Sequence, residues 1–199
     1  MGRFFCIEGP DGAGKTTQAA ILATYLKEQG RTVHLWREPG ATAAGEAIRD
    51  ILLDPDTDLA PMAEMLLYQA ARAHLVATRV KPALAAGEVV ILDRFWYSTA
   101  AYQGHGLGLD LEAIRKVSEI AVGGLEPEHV FLLDLVADVG LQRLSGAPDR
   151  IESRPRAYHE RVRRGFQIEI ARLGPRGTVL DATQPIEAIA QAIREVVDA

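Results

Sequence analysis

A glycine-rich segment near the start of the chain has the residue types and spacing of a phosphate-binding loop. Its residues, Gly9-Pro10-Asp11-Gly12-Ala13-Gly14-Lys15-Thr16, fit the pattern G-x-x-x-x-G-K-T. An apolar run, Phe4 to Ile7, precedes the loop and a helical pattern, Thr17 to Glu28, follows it, which is the context the motif requires. Glycines let backbone N–H groups wrap a polyphosphate, and the helix start adds its positive end. The loop predicts ATP or GTP binding, with Lys15 on the outer phosphates and Thr16 on Mg²⁺; a glycine-rich turn that binds nothing would not need all these features.

An acid at the end of a second apolar run is a candidate for the metal site. Asp93 follows Val89 to Leu92, and four apolar residues ended by an acid are typical of the second nucleotide-binding motif, which holds Mg²⁺ directly or through water. Asp134 has the same form and Asp181 has it less cleanly, and any of these acids could instead cap the next helix. Asp93 is favoured because Arg94 follows it, so that an acid and a phosphate-binding cation stand side by side.

An arginine after another predicted strand indicates a second phosphate site. Arg37 follows the apolar run Thr32 to Trp36, and Pro39-Gly40 forces a turn behind it. Arginine binds phosphate oxygens through two N–H groups at once, so Arg37 is interpreted as a contact to a second phosphate opposite the triphosphate. The alternative is an ordinary surface loop that happens to carry an arginine.

The segment from Arg143 to Arg164 contains seven arginines and only three acids. A charge run of this kind is usually a solvated helix face. Ser145-Gly146 near its start is a flexible sequence, and the functional interpretation is therefore a mobile lid over about residues 143–156. Arginines on such a lid stabilise a transferring phosphoryl group, and Arg150 is the first choice for that role.

These residues must be positioned by alternating strands and helices. Apolar runs predict five strands, and a parallel sheet buried between helices on both faces follows from them. The candidate residues come after the strands, at the carboxyl edge where such sheets bind ligands. The predicted fold class is an α/β, P-loop NTPase-type five-stranded parallel sheet with helices on both faces and a mobile lid. The predicted strands are 4–7, 32–36, 89–92, 130–133 and 178–180, and the predicted helices are 17–28, 42–53, 61–86, one from 97 interrupted at 104–108, 110–122, 139–144, 156–173 and 185–197.

Composition limits the class of protein. The chain has 199 residues and a net charge of −5, without a basic tail, which disfavours nucleic acid as the main partner. Its apolar runs are too short for a membrane span or a signal peptide. The single cysteine, Cys6, is expected to be buried filler in the first strand, consistent with a cytoplasmic protein. We expect one domain, residues 1–199.

Together, these residues resemble the thymidylate kinase family, whose members phosphorylate dTMP to dTDP with ATP. The resemblance covers nearly the whole chain, and it implies a nucleoside-monophosphate-kinase-like domain. Its most specific part is Asp93-Arg94 followed by Ser98 and Ala101-Tyr102-Gln103. The other motifs that carry it are Glu8 to Thr17, Arg37-Glu38-Pro39-Gly40, Gly45-Glu46, Ile48-Arg49, Leu67 to Arg72, Asp149 to Glu152 and Asp181-Ala182-Thr183.

The resemblance implies a dTMP site. Arg37 and Arg94 would clamp the monophosphate, and Tyr68, where the family commonly has phenylalanine, would stack on thymine. Arg72 would contact the base edge, and Tyr102 would crowd a ribose 2′-hydroxyl and so favour deoxynucleotides. The remaining implied contacts are Asp11 at the sugar 3′-hydroxyl or its nearby water and metal network, and Ser98, Thr99 and Gln103 along the base and phosphate site.

The resemblance also implies an ATP site. It comprises the loop from Gly9 to Thr17, Arg143 stacked on adenine, and Thr183 with Gln184 in the adenine loop. Catalysis would involve Lys15, Arg94, Arg150 and Asp11, with Mg²⁺ on Thr16 and Asp93. Gly12 stands where one subgroup has a catalytic arginine, so the chain is similar to the bacterial-type subgroup, in which the lid supplies the cation. The family is usually a homodimer, and the stretch 61–86 is a candidate for the two-fold face.

Two departures from the family pattern and two alternative functions remain. Ala41 stands where glycine is usual, which affects a turn, and the Tyr68 hydroxyl could change base preference. Another nucleotide or deoxynucleoside kinase would share the loop and lid. A non-catalytic P-loop module would bind ATP without a second phosphate site. A GTPase switch is disfavoured because the chain lacks an Asp-x-x-Gly after a strand and an Asn-Lys-x-Asp for guanine.

Overall fold

Five apolar segments pair as a parallel sheet in the order β2-β3-β1-β4-β5. The computed structural model describes residues 2–144 and 147–199 of the chain. In every pair the strands run in the same direction, and the central strands β3, β1 and β4 are almost entirely buried. The predicted five-stranded parallel sheet is therefore confirmed. The strands are β1 (Arg3–Glu8), β2 (Val33–Arg37), β3 (Val89–Asp93), β4 (His129–Asp134) and β5 (Gly177–Asp181).

Helices connect the strands, as parallel pairing requires. Their bounds are α1 (Lys15–Glu28), α2 (Ala43–Leu53), α3 (Pro61–Leu75), α4 (Lys81–Ala85), α5 (Trp96–Thr99), α6 (Leu111–Val122), α7 (Ala137–Arg143), α8 (Arg156–Ala171) and α9 (Ile186–Asp198). A π-helical turn (Val76–Val80) joins α3 to α4, a second (Ala100–Gly106) extends α5, and a 3₁₀ turn (Gly174–Arg176) precedes β5. In the part of the chain that the structure describes, no helix has both the length and the apolar character needed to cross a bilayer.

Alternation along the strands builds a separate apolar core on each face of the sheet. Phe4 and Cys6 of β1 belong to one core, which α3, α4 and α8 cover with their apolar side chains. Phe5 and Ile7 belong to the other core, which α1 and α9 cover. Cys6 is fully buried, as predicted. Because both faces are covered, the polar loops after the strands are left at one open edge.

The predicted interruption of a helix at residues 104–108 is wrong in extent, since the helix continues through Gly106 and turns at Leu107 and Gly108. The glycines serve packing rather than a break. A Cβ on Gly104 would lie 2.4 Å from Leu111 Cδ2, and one on Gly106 would lie 2.5 Å from Tyr158 Cε2. Their missing side chains allow the π-helical turn to pack closely on α6 and α8.

The predicted continuous helix over 61–86 contains a wider turn near its end. The π-helical turn Val76–Val80 directly precedes the short α4, in which Pro82 is the second residue. Proline has no N–H to donate to the carbonyl four residues earlier, and its ring crowds that carbonyl. A locally widened turn relieves this conflict, so the helical stretch continues past Pro82 to Ala85.

Candidate active site

Three connected cavities lie at the carboxyl edge of the sheet. The middle one, the phosphate cavity, is bordered by the phosphate-binding loop and shares lining residues with both of the others, so the three form one continuous cleft. The phosphate cavity is lined by Asp11, Gly12, Gly14, Lys15, Thr16, Thr17, Arg37, Glu38, Arg49, Asp93 and Arg94. The inner cavity is lined by Asp11, Glu38, Pro39, Arg49, Leu53, Tyr68, Arg72, Arg94, Ser98, Thr99, Tyr102, Gln103, Asp149, Ile151 and Glu152. The outer groove is lined by Gly12, Ala13, Gly14, Thr17, Gln18, Arg143, Ala182, Gln184, Ile186 and Ile189.

The loop from Gly9 to Thr16 has the conformation that its glycines predict. Gly14 adopts φ +90° as the residue before α1, and Gly12 packs so tightly on α7 that a Cβ would lie 2.1 Å from the Gly140 carbonyl oxygen. The Lys15 ammonium donates to the Pro10 carbonyl, 2.7 Å away. Burial and the nearby charge of Arg94 lower the pKa of Lys15 to about 8. The loop thus holds a lysine at the floor of the phosphate cavity.

The two residues predicted to hold Mg²⁺ are in direct contact. Thr16 Oγ1 donates to Asp93 Oδ2 over 2.6 Å, and both side chains border the phosphate cavity. A hydroxyl and a carboxylate are the hard oxygen ligands that Mg²⁺ takes beside substrate phosphates, so the pair fits this ion. Asp134, the alternative acid, is instead paired with Arg163 and Gln167 on α8.

Arg94 is the most connected side chain of the site. It donates to the Gly9 carbonyl and to Ser98 Oγ, each over 3.1 Å, and it forms an ion pair with Asp11. Tyr102 OH donates to the other Asp11 oxygen over 2.7 Å and lies 3.2 Å from Arg94 Nη2. The backbone of Arg94 has φ +76°, a left-handed conformation that costs energy for a residue with a Cβ. The sharp backbone turn at Arg94, directly after β3, therefore places its guanidinium where the phosphate cavity and the inner cavity meet.

A buried acid that sequence reasoning did not select fixes this turn. Glu8 ends β1 and is fully buried, and burial raises its pKa. It accepts hydrogen bonds from the backbone N–H groups of Phe95 and Ser98 and from Ser98 Oγ. The position of Glu8, an acid at the end of a buried strand, was the available signal. Ser98 is consequently held by Glu8 and Arg94 at the rim of the inner cavity.

Arg72 lies at the bottom of the inner cavity and is almost fully buried. Its Nε donates to Glu38 Oε2 over 2.6 Å. Its Nη1 donates to Gln69 and Thr99, and its Nη2 donates to the Phe95 carbonyl. Glu38, which the sequence analysis quoted but gave no role, holds the arginine in place. Tyr68 and Gln103 line the same cavity, so the residues predicted for the base are brought together.

Two arginines border the phosphate cavity from the β2 side. Arg37 is exposed, as the loop alternative implied, and its Nη2 donates to Glu46 over 3.2 Å. Arg49, which received no role from the sequence, borders both the phosphate cavity and the inner cavity and donates to the Pro39 carbonyl. Burial and the charges of Arg37 and Arg94 lower the pKa of Arg49. Together with Arg94, these two arginines give the phosphate cavity a positively charged wall.

Two of the three residues predicted for the adenine site, Arg143 and Gln184, line the outer groove. Arg143 Nη1 donates to the Ala182 carbonyl over 3.2 Å, which fixes its guanidinium at the groove wall. Gln184 lines the groove, whereas Thr183 does not and instead bonds Asp181 through its hydroxyl and its backbone N–H. Asp181 therefore shapes the loop through Thr183.

Arg150 does not lie at the phosphate-binding loop, where the sequence analysis expected the lid cation. Its Nη1 donates to Glu64 Oε2 over 2.6 Å, and its Nε donates to the Leu52 carbonyl. Arg154 donates to the same carboxylate. The physical reason is that Glu64, fully buried on α3, needs compensating charge. Within the predicted lid 143–156, Ser145 and Gly146 lie outside the described residues.

Comparison with known proteins agrees with this arrangement. Residues 7–193 match the family model described as thymidylate kinase. The chain belongs to the thymidylate kinase family. A thymidylate kinase of Deinococcus radiodurans is 46% identical over 188 residues, covering 93% of this chain and 91% of that protein. One of a Synechococcus species is 48% identical over 189 residues, covering 94% and 92%. The crystal structure of thymidylate kinase from Ehrlichia chaffeensis has a TM-score of 0.81 at 32% identity, covering 100% of this chain and 99% of that one.

Membership of the thymidylate kinase family confirms the resemblance seen in the motifs. Of the two departures from the family pattern, Ala41 has the backbone conformation that glycine tolerates best, with φ +62°. Its N–H donates to Glu46 Oε1 over 2.8 Å, which holds the turn closed despite the Cβ. Tyr68, the second departure, lines the inner cavity together with Arg72 and Gln103.

Proposed function

We propose that this member of the thymidylate kinase family transfers the γ-phosphoryl group of ATP to dTMP, giving dTDP and ADP for dTTP synthesis. The observation that carries the proposal is the continuous cleft. Its outer groove suits an adenine nucleotide, its inner cavity suits a pyrimidine, and the phosphate cavity lies between them. Two nucleotides bound in this way would meet with their phosphates over the loop.

The residues of the phosphate cavity would act by alignment and charge neutralisation. The dTMP phosphate already carries negative charge, so no strong base is needed. Lys15 and Arg94, which both line the phosphate cavity, would neutralise the charge of the phosphoryl group during transfer, and Arg37 and Arg49 would hold the monophosphate. Thr16 and Asp93 would hold Mg²⁺, which would compensate the negative charge of the phosphates.

The inner cavity would select the acceptor nucleotide. Tyr68 would stack on the base, and Arg72, Thr99 and Gln103 would face its edge. Asp11, held by Arg94 and Tyr102, would meet the sugar. Tyr102 is buried and fixed by its bond to Asp11, so its ring would stay against C2′ of the sugar and disfavour ribonucleotides.

The lid, residues 143–156, would complete the cation set. Arg150 and Arg154 are anchored on Glu64 next to the inner cavity. Arg150 would serve the phosphoryl group only after leaving that anchor, so its catalytic role implies movement of the lid. Closure would also exclude water and prevent futile hydrolysis of ATP.

Assembly and location are part of the same proposal. We propose one domain over residues 1–199, a cytoplasmic location, and a homodimer in which the face of α3 takes part. Met62 and Leu66 of α3 are both exposed, which supports an apolar contact there. Light scattering on the purified chain would test the dimer, and a monomer at micromolar concentration would contradict it.

A coupled ADP-release assay with a panel of monophosphates tests the activity. We expect dTMP to be the best acceptor and dUMP a weaker one. Calorimetry with ATP and dTMP added separately should detect two distinct sites. ADP release without dependence on any monophosphate, or a single nucleotide site, would contradict the proposal and favour a non-catalytic binding module.

A further inference from the structure

One buried carboxylate connects the base side of the inner cavity to the lid. Glu64 on α3 is 0% exposed. Its Oε1 accepts from Gln103 Nε2 over 2.8 Å and, at the longer distance of 3.3 Å, from Arg154 Nη1. Its Oε2 accepts from Arg150 Nη1 and Arg154 Nη2, each over 2.6 Å. The sequence analysis assigned no role to this acid, and it touches neither the phosphate-binding loop nor the metal pair.

The two arginines keep this carboxylate ionised. Burial acts to raise the pKa of Glu64, but hydrogen bonds from Arg154, Gln103 and Arg150 and the charge of Arg154 outweigh it, and the pKa lies below the usual value. An ionised carboxylate can only accept hydrogen bonds. Gln103 must therefore turn its NH₂ group towards Glu64, which fixes the orientation of its amide.

The fixed amide presents an acceptor to the inner cavity. Gln103 lines this cavity, and among the described residues no group donates to its Oε1. Arg72, which lines the same cavity, presents a donor. Its Nε and Nη1 hydrogens and one Nη2 hydrogen are used by Glu38, Gln69, Thr99 and the Phe95 carbonyl, which leaves one Nη2 hydrogen.

A donor beside an acceptor discriminates between pyrimidines. Thymine presents its O4 acceptor next to its N3–H donor, whereas cytosine presents an amino donor at C4 next to an N3 acceptor. The thymine edge is complementary, because its O4 can accept from Arg72 and its N3–H can donate to Gln103. The cytosine edge would place its amino group against the Arg72 donor and its N3 acceptor against the Gln103 acceptor. If the amide of Gln103 turned over, this discrimination would be weakened.

We propose that Glu64 is a positioning residue for base selection, which holds Gln103 as a hydrogen-bond acceptor and so excludes cytosine nucleotides. The proposal rests on the proposed function and deepens it, because it assigns the selectivity of the inner cavity to an acid that does not touch the base. Arg150 and Arg154 belong to this arrangement, since their charges keep a buried carboxylate in the form that orients the amide.

The substitution Glu64→Gln tests the orientation without a change of shape. Arg150 and Arg154 donate to Oε2 over 2.6 Å, whereas the bond from Arg154 to Oε1 is 3.3 Å long. The carbonyl oxygen of the substituted amide therefore stays at the two shorter bonds, and its NH₂ group takes the place of Oε1. Two NH₂ groups would then face each other, and Gln103 must turn. Gln103→Leu removes the acceptor directly. Glu169→Gln is the matched control, because it makes the same change at another buried acid that is paired with an arginine, Arg115, and that lines none of the three cavities.

Calorimetry on the full chain measures the dissociation constants of dTMP and dCMP for the wild type and the three variants. We expect the preference for dTMP over dCMP to fall by roughly tenfold or more in Glu64→Gln and Gln103→Leu, the cost of one mismatched buried hydrogen bond, and to stay unchanged in Glu169→Gln. A preference that survives Glu64→Gln, or one that falls equally in Glu169→Gln, overturns the inference. Failure of the wild type to bind dTMP would instead contradict the proposed function.

A measurement on the wild type does not depend on how the variants fold. The side-chain NH₂ signals of Gln103 in ¹⁵N-labelled protein can be assigned by their loss in Gln103→Leu, or by selective glutamine labelling. We expect these protons to be protected from solvent exchange both without nucleotide and with dTMP bound. Exchange as fast as that of the exposed glutamine Gln191 would show that Glu64 does not hold the amide, and would overturn the inference.

Discussion

The Thr16 hydroxyl donates a hydrogen bond to the Asp93 carboxylate, with Oγ1 and Oδ2 2.6 Å apart. The two residues lie on different elements, Thr16 in the first turn of α1 and Asp93 at the end of β3. Pairing of β1 with β3, in which Ile7 lies beside Asp93, brings them together. The contact supports the preference for Asp93 over Asp134, which in the sequence rested only on the neighbouring Arg94.

Substitution of Asp93 should raise the requirement for Mg²⁺. Asp93→Asn keeps the shape and removes the charge that faces the ion, so the Mg²⁺ concentration for half-maximal activity should rise by roughly tenfold or more. Asp134→Asn is the control, because Asp134 is engaged with Arg163 and Gln167. Titration of activity with Mg²⁺ after removal of metal by a chelator measures both. An equal rise in the two variants would argue against a specific role for Asp93.

Replacement of Arg94 should abolish most turnover while ATP binding persists. Arg94→Lys keeps a positive charge but loses the fork that reaches Gly9, Ser98 and Asp11 at once. We expect kcat/KM for dTMP to fall by roughly 10²–10³, with the ATP dissociation constant changed by about twofold at most. Steady-state kinetics and calorimetry check the two values. Near-normal turnover would show that the assigned role is wrong.

ATP affinity should decline above about pH 8. The Lys15 pKa is lowered to about 8 in the free enzyme, so above this pH the ammonium that faces the phosphates loses its proton. Binding of ATP favours the charged form, so binding above about pH 8 should take up a proton and weaken by up to about tenfold per pH unit. Calorimetry in buffers of different ionisation enthalpy detects the proton uptake. Constant affinity from pH 7 to 9.5 without proton uptake would refute this prediction.

The free energy of unfolding should depend on pH through the ionisation of Glu38. Burial raises the pKa of Glu38 from 4.5 to about 7, against the opposing charge of Arg72. The folded state therefore binds this proton more tightly than the unfolded state. The stabilisation is complete below about pH 4.5 and is lost as the pH rises through about 7.

Comparison of the wild type with Glu38→Gln isolates this effect. The other titrating groups contribute the same pH dependence to the free energy of unfolding of both proteins, so their contribution cancels in the difference. Relative to the variant, the wild type should lose free energy of unfolding between pH 4.5 and 7.5, by about 3 kcal/mol at most. Urea unfolding at several pH values measures the difference. A difference that does not vary with pH would mean that Glu38 is ionised throughout.

The parallel sheet and the phosphate loop could be predicted because local pattern decides them. Buried parallel strands are apolar along their length, and a loop that binds phosphate through backbone N–H groups needs glycine at fixed positions. The extent of the helix near Gly104 could not be predicted. Glycine is typical both of a helix break and of a close packing contact, and only the positions of Leu111 and Tyr158 in the folded chain decide between them.

Individual site residues were predictable where they directly follow a strand or belong to the loop. Arg94, Asp93 and Asp11 are of this kind. Arg49, Glu8 and Glu38 were assigned no role, because their importance comes from what they touch rather than from a spacing. Arg150 is a different case, since its arginine-rich surroundings predicted a phosphate contact and the structure pairs it with Glu64.

The sequence by itself determined the fold class, the phosphate-binding loop and the family, because these depend on residue types at short, regular spacings. Only the tertiary structure decided which acid meets Thr16, which groups orient Arg72 and Gln103, and where Arg150 lies. These relationships join residues on different elements, and burial changes their charge and hydrogen-bonding roles. Short-range spacing does not encode them, since they arise when the helices and strands pack.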